Sequence, residues 1–457
     1  MLSSLVLVFP YTEQLAPGDY GLLAIYISFT LLVQIIVNYG IDNYISVHYF
    51  EYKDNPEQLK KFIGTMVVLL MIIATIFTLF MAVSGSFIFS LVFRNKVVGF
   101  FPFGFMSIIT AICNALFRTY TTLLIYRQKP WRFLWFNVFN FVATVVISII
   151  GLRMYPHLIN GPMWGRLLSG VGIFLLSILF YISEYGIAFD KTKLSGLQKF
   201  CTPVLVFTLL TWVMSYINIY ILPKMNDVGI YDIAIKFTLF IEFAQNGLCN
   251  AINPKIYHMW KDGNLTRSTP EENKYHHLFT LATIMLVALS IFGLPILVTF
   301  IVKKQAYYAA LTYIPYIAAG FAFRAIYNIF TNPVYYFKKT SLLPRMFVVS
   351  AVTQVILGIV LIKYFGVWGA IWSTLIVKPV QVIVLWIGTK ELFHFKFNIT
   401  KVIILPVVYI AGMFAIYQLS GNVSYLIPGS LQLLWAVVLI LIAFRNELNQ
   451  VPLMYRK

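Results

Sequence analysis

The chain has 457 residues, 60% of them hydrophobic and 11% charged, with a mean hydropathy of +0.82. Soluble domains run at roughly 45–50% apolar and roughly 25% charged, so this composition excludes an ordinary soluble domain and describes a polytopic membrane protein. A formal charge of +18 would point to nucleic acid in a soluble chain, but here the basic residues follow a membrane topology, and no nucleic-acid partner is expected.

A stub, Leu2–Pro10, is too short to cross a hydrocarbon core of about 30 Å and reads as the end of a truncated first helix. Full helices are expected at residues 20–41, 63–84, 100–126, 133–152, 162–182, 201–222, 228–250, 278–301, 306–331, 343–362, 366–388, 401–419 and 423–444. This is an all-α plan of about fourteen transmembrane helices. A closed barrel would instead show alternating strands of about ten residues. If the connections after even-numbered helices are cytoplasmic, they hold twenty-two of the thirty-four Lys and Arg residues, the opposite side holds seven, and five lie within helices. That bias places both termini in the cytoplasm.

The stretch Asp19–Tyr49 returns without gaps as Asp227–Tyr257, with nine identities in thirty-one positions, among them Gly21/Gly229, Thr30/Thr238 and Asn38/Asn246. WGRLLS, beginning at Trp164, returns as WGAIWS at Trp368, and Phe117-Arg118 returns as Phe323-Arg324. Offsets of 208, 204 and 206 describe one duplication with small deletions. It gives two pseudo-symmetric six-helix lobes, residues 1–190 and 191–390, entering the membrane in the same orientation. Two additional helices and a cytoplasmic tail follow in residues 391–457.

Each copy carries a polar stripe at steps of four residues: Thr30, Gln34, Asn38 and Asp42 in the first, and Thr238, Glu242, Asn246 and Asn250 in the second. Such steps share one helical face, and polar groups in lipid must face protein or water. The stripes line a cavity, or they hold helices together by interhelical hydrogen bonds. Of the five cations inside helices, Arg166 lies beside Trp164 at the outer interface and is expected to snorkel; the other four are Arg118, Lys236, Arg324 and Lys378. Their common sign suggests an anion, and Arg can grip phosphate oxygens bidentately. The alternative is snorkelling or bonding to backbone carbonyls. Glu242 is expected either to respond to protons or sodium or to form a structural ion pair.

Enzymatic constellations are absent from the sequence. Cys113, Cys201 and Cys249 are scattered, the histidines are dispersed, and the adjacent His276 and His277 read as solvated. There is no P-loop or dinucleotide fingerprint. The expectation is a non-enzyme without cofactor or metal.

The segments QLAPGDYGLLAIY (Gln14–Tyr26), HYFEYKDNPEQLKKFIGT (His48–Thr65), VGIYDIAIKF (Val228–Phe237) and LIKYFGVWGAIWSTL (Leu361–Leu375) resemble the polysaccharide biosynthesis flippases. That family moves lipid-linked O-antigen or capsule repeat units and belongs to the multidrug, oligosaccharidyl-lipid and polysaccharide exporter superfamily. The resemblance implies two lobes in a V around a central cavity, alternating access, and a polyprenyl-pyrophosphate oligosaccharide as cargo in the bacterial cytoplasmic membrane. It further implies a monomer among membrane lipids, working beside glycosyltransferases and a polysaccharide polymerase. A multidrug exporter of the same superfamily, or a membrane polymerase or glycosyltransferase, are the other functions weighed. The first would want a cavity richer in carboxylates, the second a sizeable outer loop.

Overall fold

Proline and short polar side chains set where the helices begin. In the computed structural model, which describes residues 2–93, 98–262, 270–339, 341–392, 396–421 and 424–445, every regular element is helical. In chain order these are α1 Leu2–Gln14, α2 Pro17–Asn38, α3 Ile41–Tyr52, α4 Pro56–Val92, α5 Phe103–Tyr126, α6 Pro130–Met154, α7 Asn160–Tyr185 and α8 Leu197–Ile221. They continue as α9 Met225–Asp262, α10 Pro270–Ile301, α11 Ala309–Ala319, α12 Arg324–Tyr336, α13 Leu342–Phe365, α14 Val367–Thr389, α15 Leu405–Ser420 and α16 Leu426–Ala443. Pro17, Pro56 and Pro130 open their helices where an N–H would lack a partner anyway. Asn55 caps α4 by accepting from the Gln58 N–H at 3.1 Å.

Twelve helical spans among the described residues are long and apolar enough to cross a membrane. They coincide with twelve of the thirteen expected from hydropathy; position 423, where the last expected span starts, lies outside the described residues. The thirteenth, α9, is a 38-residue helix whose first eighteen residues carry Asp227, Asp232, Lys236 and Glu242. At about 1.5 Å per residue it extends well beyond a hydrocarbon core. The helix α1, with 13 residues, is shorter than that core. Lipid-facing surfaces are plain: α6 exposes Trp131, Trp135, Phe139, Val142, Val146 and Ile150, one apolar face at helical spacing. The chain is a multi-pass membrane protein.

Two expected helices differ in detail. The first polar stripe does not lie on one helix, because α2 stops at Asn38: Tyr39 (φ 50°) and Gly40 (φ 78°) both turn left-handed and α3 starts at Ile41. Gly40 relieves the strain of that turn. The span expected at residues 306–331 is interrupted by a 3₁₀ turn, Gly320–Phe323, that joins α11 to α12.

The chain forms two compact units, Met1–Asp232 and Ile233–Lys457. In the first, α2 packs on α5 and α8, and α6 pairs with α7. A Cβ on Gly165 of α7 would overlap the Ser148 backbone of α6, and Ser169 accepts a hydrogen bond from Thr144 at 3.3 Å. The second unit repeats this hairpin as α13–α14: a Cβ on Gly369 would overlap the Leu361 carbonyl, and Ser373 accepts from Gln354 Nε2 at 3.1 Å. The repeated WG…S motif is thus a close helix–helix contact followed by an interhelical hydrogen bond. Also in the second unit, α10 packs on α11, α12 and α16, and α15 pairs with α16.

The repeated glycines explain themselves in the first unit. A Cβ on Gly21 would overlap the Met225 carbonyl, and one on Gly229 would overlap the Pro17 carbonyl. Positions 17 and 225, and 21 and 229, each differ by the repeat offset of 208. The contact is reciprocal, as at a local two-fold, and only glycine lets the backbones approach this closely.

Candidate functional site

In the first copy the polar stripe is spent on neighbouring helices. Thr30 donates to its own turn at Tyr26 O, 2.8 Å. Gln34 is half-buried. Buried Asn38 donates to Thr119 Oγ1 on α5 at 3.3 Å, and Asp42, displaced onto α3 by the Tyr39–Gly40 turn, accepts from Arg118 Nε on the same helix at 2.7 Å. The Asp42 side chain is 5% exposed and that of Arg118 54%. The second carboxylate oxygen takes the Asn43 N–H at 2.9 Å. Both carboxylate oxygens of Asp42 therefore have a donor, and the Arg118 charge has a carboxylate against it.

In the second copy the same positions end differently. Thr238 is again turned onto its own helix, at Ile235 O, 2.7 Å. Lys236 is buried two residues earlier on α9, and Asn250 is exposed. Asn246, the counterpart of Asn38, accepts from Arg324 Nη2 at 2.8 Å. Arg324 also sits 5.4 Å from the Tyr327 ring, while its Nε is buried without a partner. Lys378, half-buried on α14, runs its stem past Gly320, 4.0 Å from where a Cβ would lie. The charges of Glu242 and Arg324 both act on it. Half-buried Glu242 makes no hydrogen bond or ion pair among the described residues. Gln245 ties α9 to the 3₁₀ turn through Phe321 O at 2.9 Å, leaving its own carbonyl oxygen unpartnered.

The structure therefore brings Glu242, Asn246, Arg324 and Lys378 into one group in the second unit, and Asn38, Asp42 and Arg118 into another in the first. The first group has one cation and one carboxylate in contact. The second has two cations, one carboxylate and no direct ion pair. In a low-dielectric surrounding, such an uncompensated positive charge attracts an anion. The Lys378 ammonium and the Arg324 guanidinium are of a kind that suits phosphate oxygens.

Two features escaped the sequence. Below Arg324 an amide ladder continues between α9 and α12: Asn253 and Asn328 exchange bonds at 3.0 and 3.5 Å, Asn332 donates to Asn253 at 3.2 Å, and Tyr257 donates to Asn332 at 3.3 Å. Four-residue spacing of Asn328 and Asn332 from Arg324 was its only signal. His276, expected to be solvated, is instead buried on α10 with its Nε2 3.0 Å from the buried Glu272 carboxylate. The cause is that α10 begins at Pro270, so the segment read as a loop is its first two turns. The three cysteines are free and buried.

Neither a family model nor a curated protein matches the sequence. Solved structures do. The lipid II flippase MurJ, in an inward closed conformation, is 15% identical and superposes with a TM-score of 0.74 over 98% of this chain and 97% of its own. An inward-facing multidrug resistance MATE family transporter of the MOP superfamily is 14% identical with a TM-score of 0.63, over 85% of this chain and 98% of its own. The Vibrio cholerae MATE transporter VcmN is 12% identical with a TM-score of 0.57, over 85% and 92%. At these identities the likeness concerns the fold. The all-helical, two-lobed class expected from the sequence is the one the chain adopts, and the proteins that share it are transporters.

Proposed function

We propose that the chain flips a polyprenyl-pyrophosphate-linked oligosaccharide repeat unit across the bacterial cytoplasmic membrane by alternating access, for surface polysaccharide synthesis. The observation that carries this reading is the excess of cations at Glu242, Asn246, Arg324 and Lys378. A pyrophosphate head meets donors of matching charge there, while the hydrocarbon tail can stay in lipid. Arg324 and Lys378 are the head-group ligands, with Lys236 adding to the attraction. Glu242 is the coupling group, answering to protons or sodium as the cargo leaves. The shared fold with a lipid II flippase supports a lipid-linked cargo. The working form is a monomer with both termini in the cytoplasm, taking cargo from glycosyltransferases and passing it to a polymerase. Its lobes are residues 1–190 and 191–390, with residues 391–457 appended.

The test is a proteoliposome assay that follows a fluorescent pyrophosphate-linked glycolipid between leaflets. Wild-type protein should accelerate its crossing, and Arg324→Gln with Lys378→Met should slow it at least tenfold. Glu242→Gln should abolish dependence on an imposed proton or sodium gradient. A wild-type protein that leaves the glycolipid on one leaflet but drives uptake of a cationic dye would overturn the reading. It would favour multidrug export instead, a function to which a Glu242 without a direct partner is the one suited feature.

A further inference from the structure

Where α5, α6 and α7 meet at one end of the first unit, three cations gather around one carboxylate. Glu184, in the last turn of α7, accepts from Arg127 Nη1 just after α5 and from Arg132 Nη1 in the first turn of α6, the second bond at 2.7 Å. Lys129 stands between the two arginines in the chain, half-buried, and makes no hydrogen bond or ion pair among the described residues. Burial and the neighbouring Arg127 and Arg132 charges hold its ammonium below the usual lysine range. The turn that brings these groups together is a fixed one. Gln128 is left-handed (φ 54°), its N–H donates to Ile125 O at 2.9 Å, and the Lys129 N–H reaches back to Leu124 O at 3.0 Å. That is a Schellman closure of α5, and Pro130 opens α6 directly after it. Like charges held together with too few carboxylates attract an anion.

The cluster is accessible from outside. The Arg132 side chain is 50% exposed, and its Nε and Nη2 make no hydrogen bond among the described residues. Trp131 beside it and Trp135 one turn on are 72% and 65% exposed, and they begin the apolar face of α6 that runs on through Phe139, Val142 and Val146. Exposed indoles at the end of a lipid-facing helix belong at the level of the lipid head groups. The order along the surface is therefore cations, indoles, then hydrocarbon-facing side chains. The second unit has the same turn without the cluster. After α12, Lys338 is left-handed (φ 55°) and the Lys339 N–H reaches Val334 O at 3.0 Å, but Phe337 precedes them where Arg127 precedes Gln128. Lys338 and Lys339 are both exposed. A general excess of basic residues at one membrane surface serves both turns alike; the converging guanidiniums are particular to the first.

We propose that Lys129 and Arg132, backed by Arg127, bind the phosphate of an anionic phospholipid whose chains lie along the exposed face of α6. A guanidinium offers paired N–H groups to phosphate oxygens and the ammonium adds a point charge, the chemistry by which basic groups at helix ends hold lipid head groups. Free phosphate leaves the indoles and the apolar face unused, and a zwitterionic lipid brings a cation of its own to the cluster. The inference rests on the membrane-embedded fold and is independent of the cargo. The site lies in the first unit, apart from Arg324 and Lys378 in the second.

Delipidated protein in detergent, incubated with phosphatidylglycerol or with phosphatidylcholine of the same chains, tests this by native mass spectrometry. Wild-type protein should retain phosphatidylglycerol about fivefold more often or better. Lys129→Gln with Arg132→Gln should erase that preference. Lys129→Gln alone, which breaks no contact within the chain, should already reduce it. Lys338→Gln with Lys339→Gln removes the same charge from the matching turn and should leave the preference intact. Trp131→Ala with Trp135→Ala should weaken both lipids alike, and a large excess of inorganic phosphate should leave phosphatidylglycerol bound. In the wild-type protein, a phosphatidylglycerol bearing a diazirine on its acyl chain should crosslink to Val138, Phe139 or Val142. An undiminished preference in both Lys129 variants, a preference lost equally in the Lys338 and Lys339 variant, displacement by inorganic phosphate, or crosslinks confined to helices other than α6 would overturn the proposal.

Discussion

In the first copy of the repeat the helix arginine, Arg118, meets the carboxylate of Asp42 at 2.7 Å; in the second its counterpart, Arg324, meets the amide of Asn246 at 2.8 Å. The helices correspond, the offsets correspond, and the charge does not. A break in the backbone accounts for much of the difference. The Tyr39–Gly40 turn swings Asp42 onto a separate helix, whereas α9 runs on through Gly247 and presents Asn246, Asn250 and Asn253 in unbroken helical register. The first copy closes on itself as an ion pair. The second keeps Arg324 and Lys378 together with Glu242 and, among the described residues, without a direct ion pair between them, and the positive charge left over is what an anionic head group would use. Two matching scaffolds thus differ in their polar substitutions, which close one as an ion pair and leave the other with an excess of positive charge.

The comparison can be broken at its common scaffold first. Gly229→Val places a side chain against the Pro17 carbonyl, where no small shift makes room. Overpacking of about 1–3 kcal/mol or more is expected, seen as a fall in folded protein on fluorescence-detected size exclusion; full recovery of monodisperse protein would mean that the backbones need not approach. Next comes Arg118→Gln, which strands the buried Asp42 carboxylate and should cost about 1–3 kcal/mol, less than for a fully buried pair because Arg118 is half exposed to begin with. Adding Asp42→Asn should restore most of the loss in thermal unfolding. An additive double variant would show that the pair does not interact. Smallest is Asn328→Ala, which removes one rung of the amide ladder and should cost about 0.6 kcal/mol, a shift in melting temperature of a degree or so in the same measurement.

Much of the fold was legible because lipid imposes a length and a polarity on every crossing helix. Runs near twenty apolar residues mark thirteen helices, twelve of which are long and apolar enough to cross a membrane, and α9 is a helix as well despite four charges in its first eighteen residues. The identity of Gly21 and Gly229 was visible, but that they meet each other was not, since nothing in a sequence says which of two equal helices touch. The turn at Tyr39–Gly40 was hidden for a local reason: one glycine in an apolar run is compatible with a continuous helix, and only its φ of 78° and the side chain of Val204 beside it reveal the end. The candidate site was legible as residue types and illegible as pairs. Asp42 and Arg118 are separated by 76 residues and Asn246 and Arg324 by 78, so four-residue spacing identified the faces while the partners came from helix packing. His276 was misread for the opposite reason, a polar stretch taken for a loop when Pro270 starts a helix there.

For the proposed transport, the charge at Arg324 must be free for cargo. Asn246→Asp tests this most directly, because it sets an isosteric carboxylate at the 2.8 Å contact and gives Arg324 an ion-pair partner, as Arg118 has in the first copy. In the glycolipid flipping assay, the variant should fold and melt at least as well as wild type and transport at least tenfold more slowly, a loss of about 1.4 kcal/mol. A variant that pairs Arg324 with the new carboxylate and still flips the glycolipid at the wild-type rate would contradict the central claim.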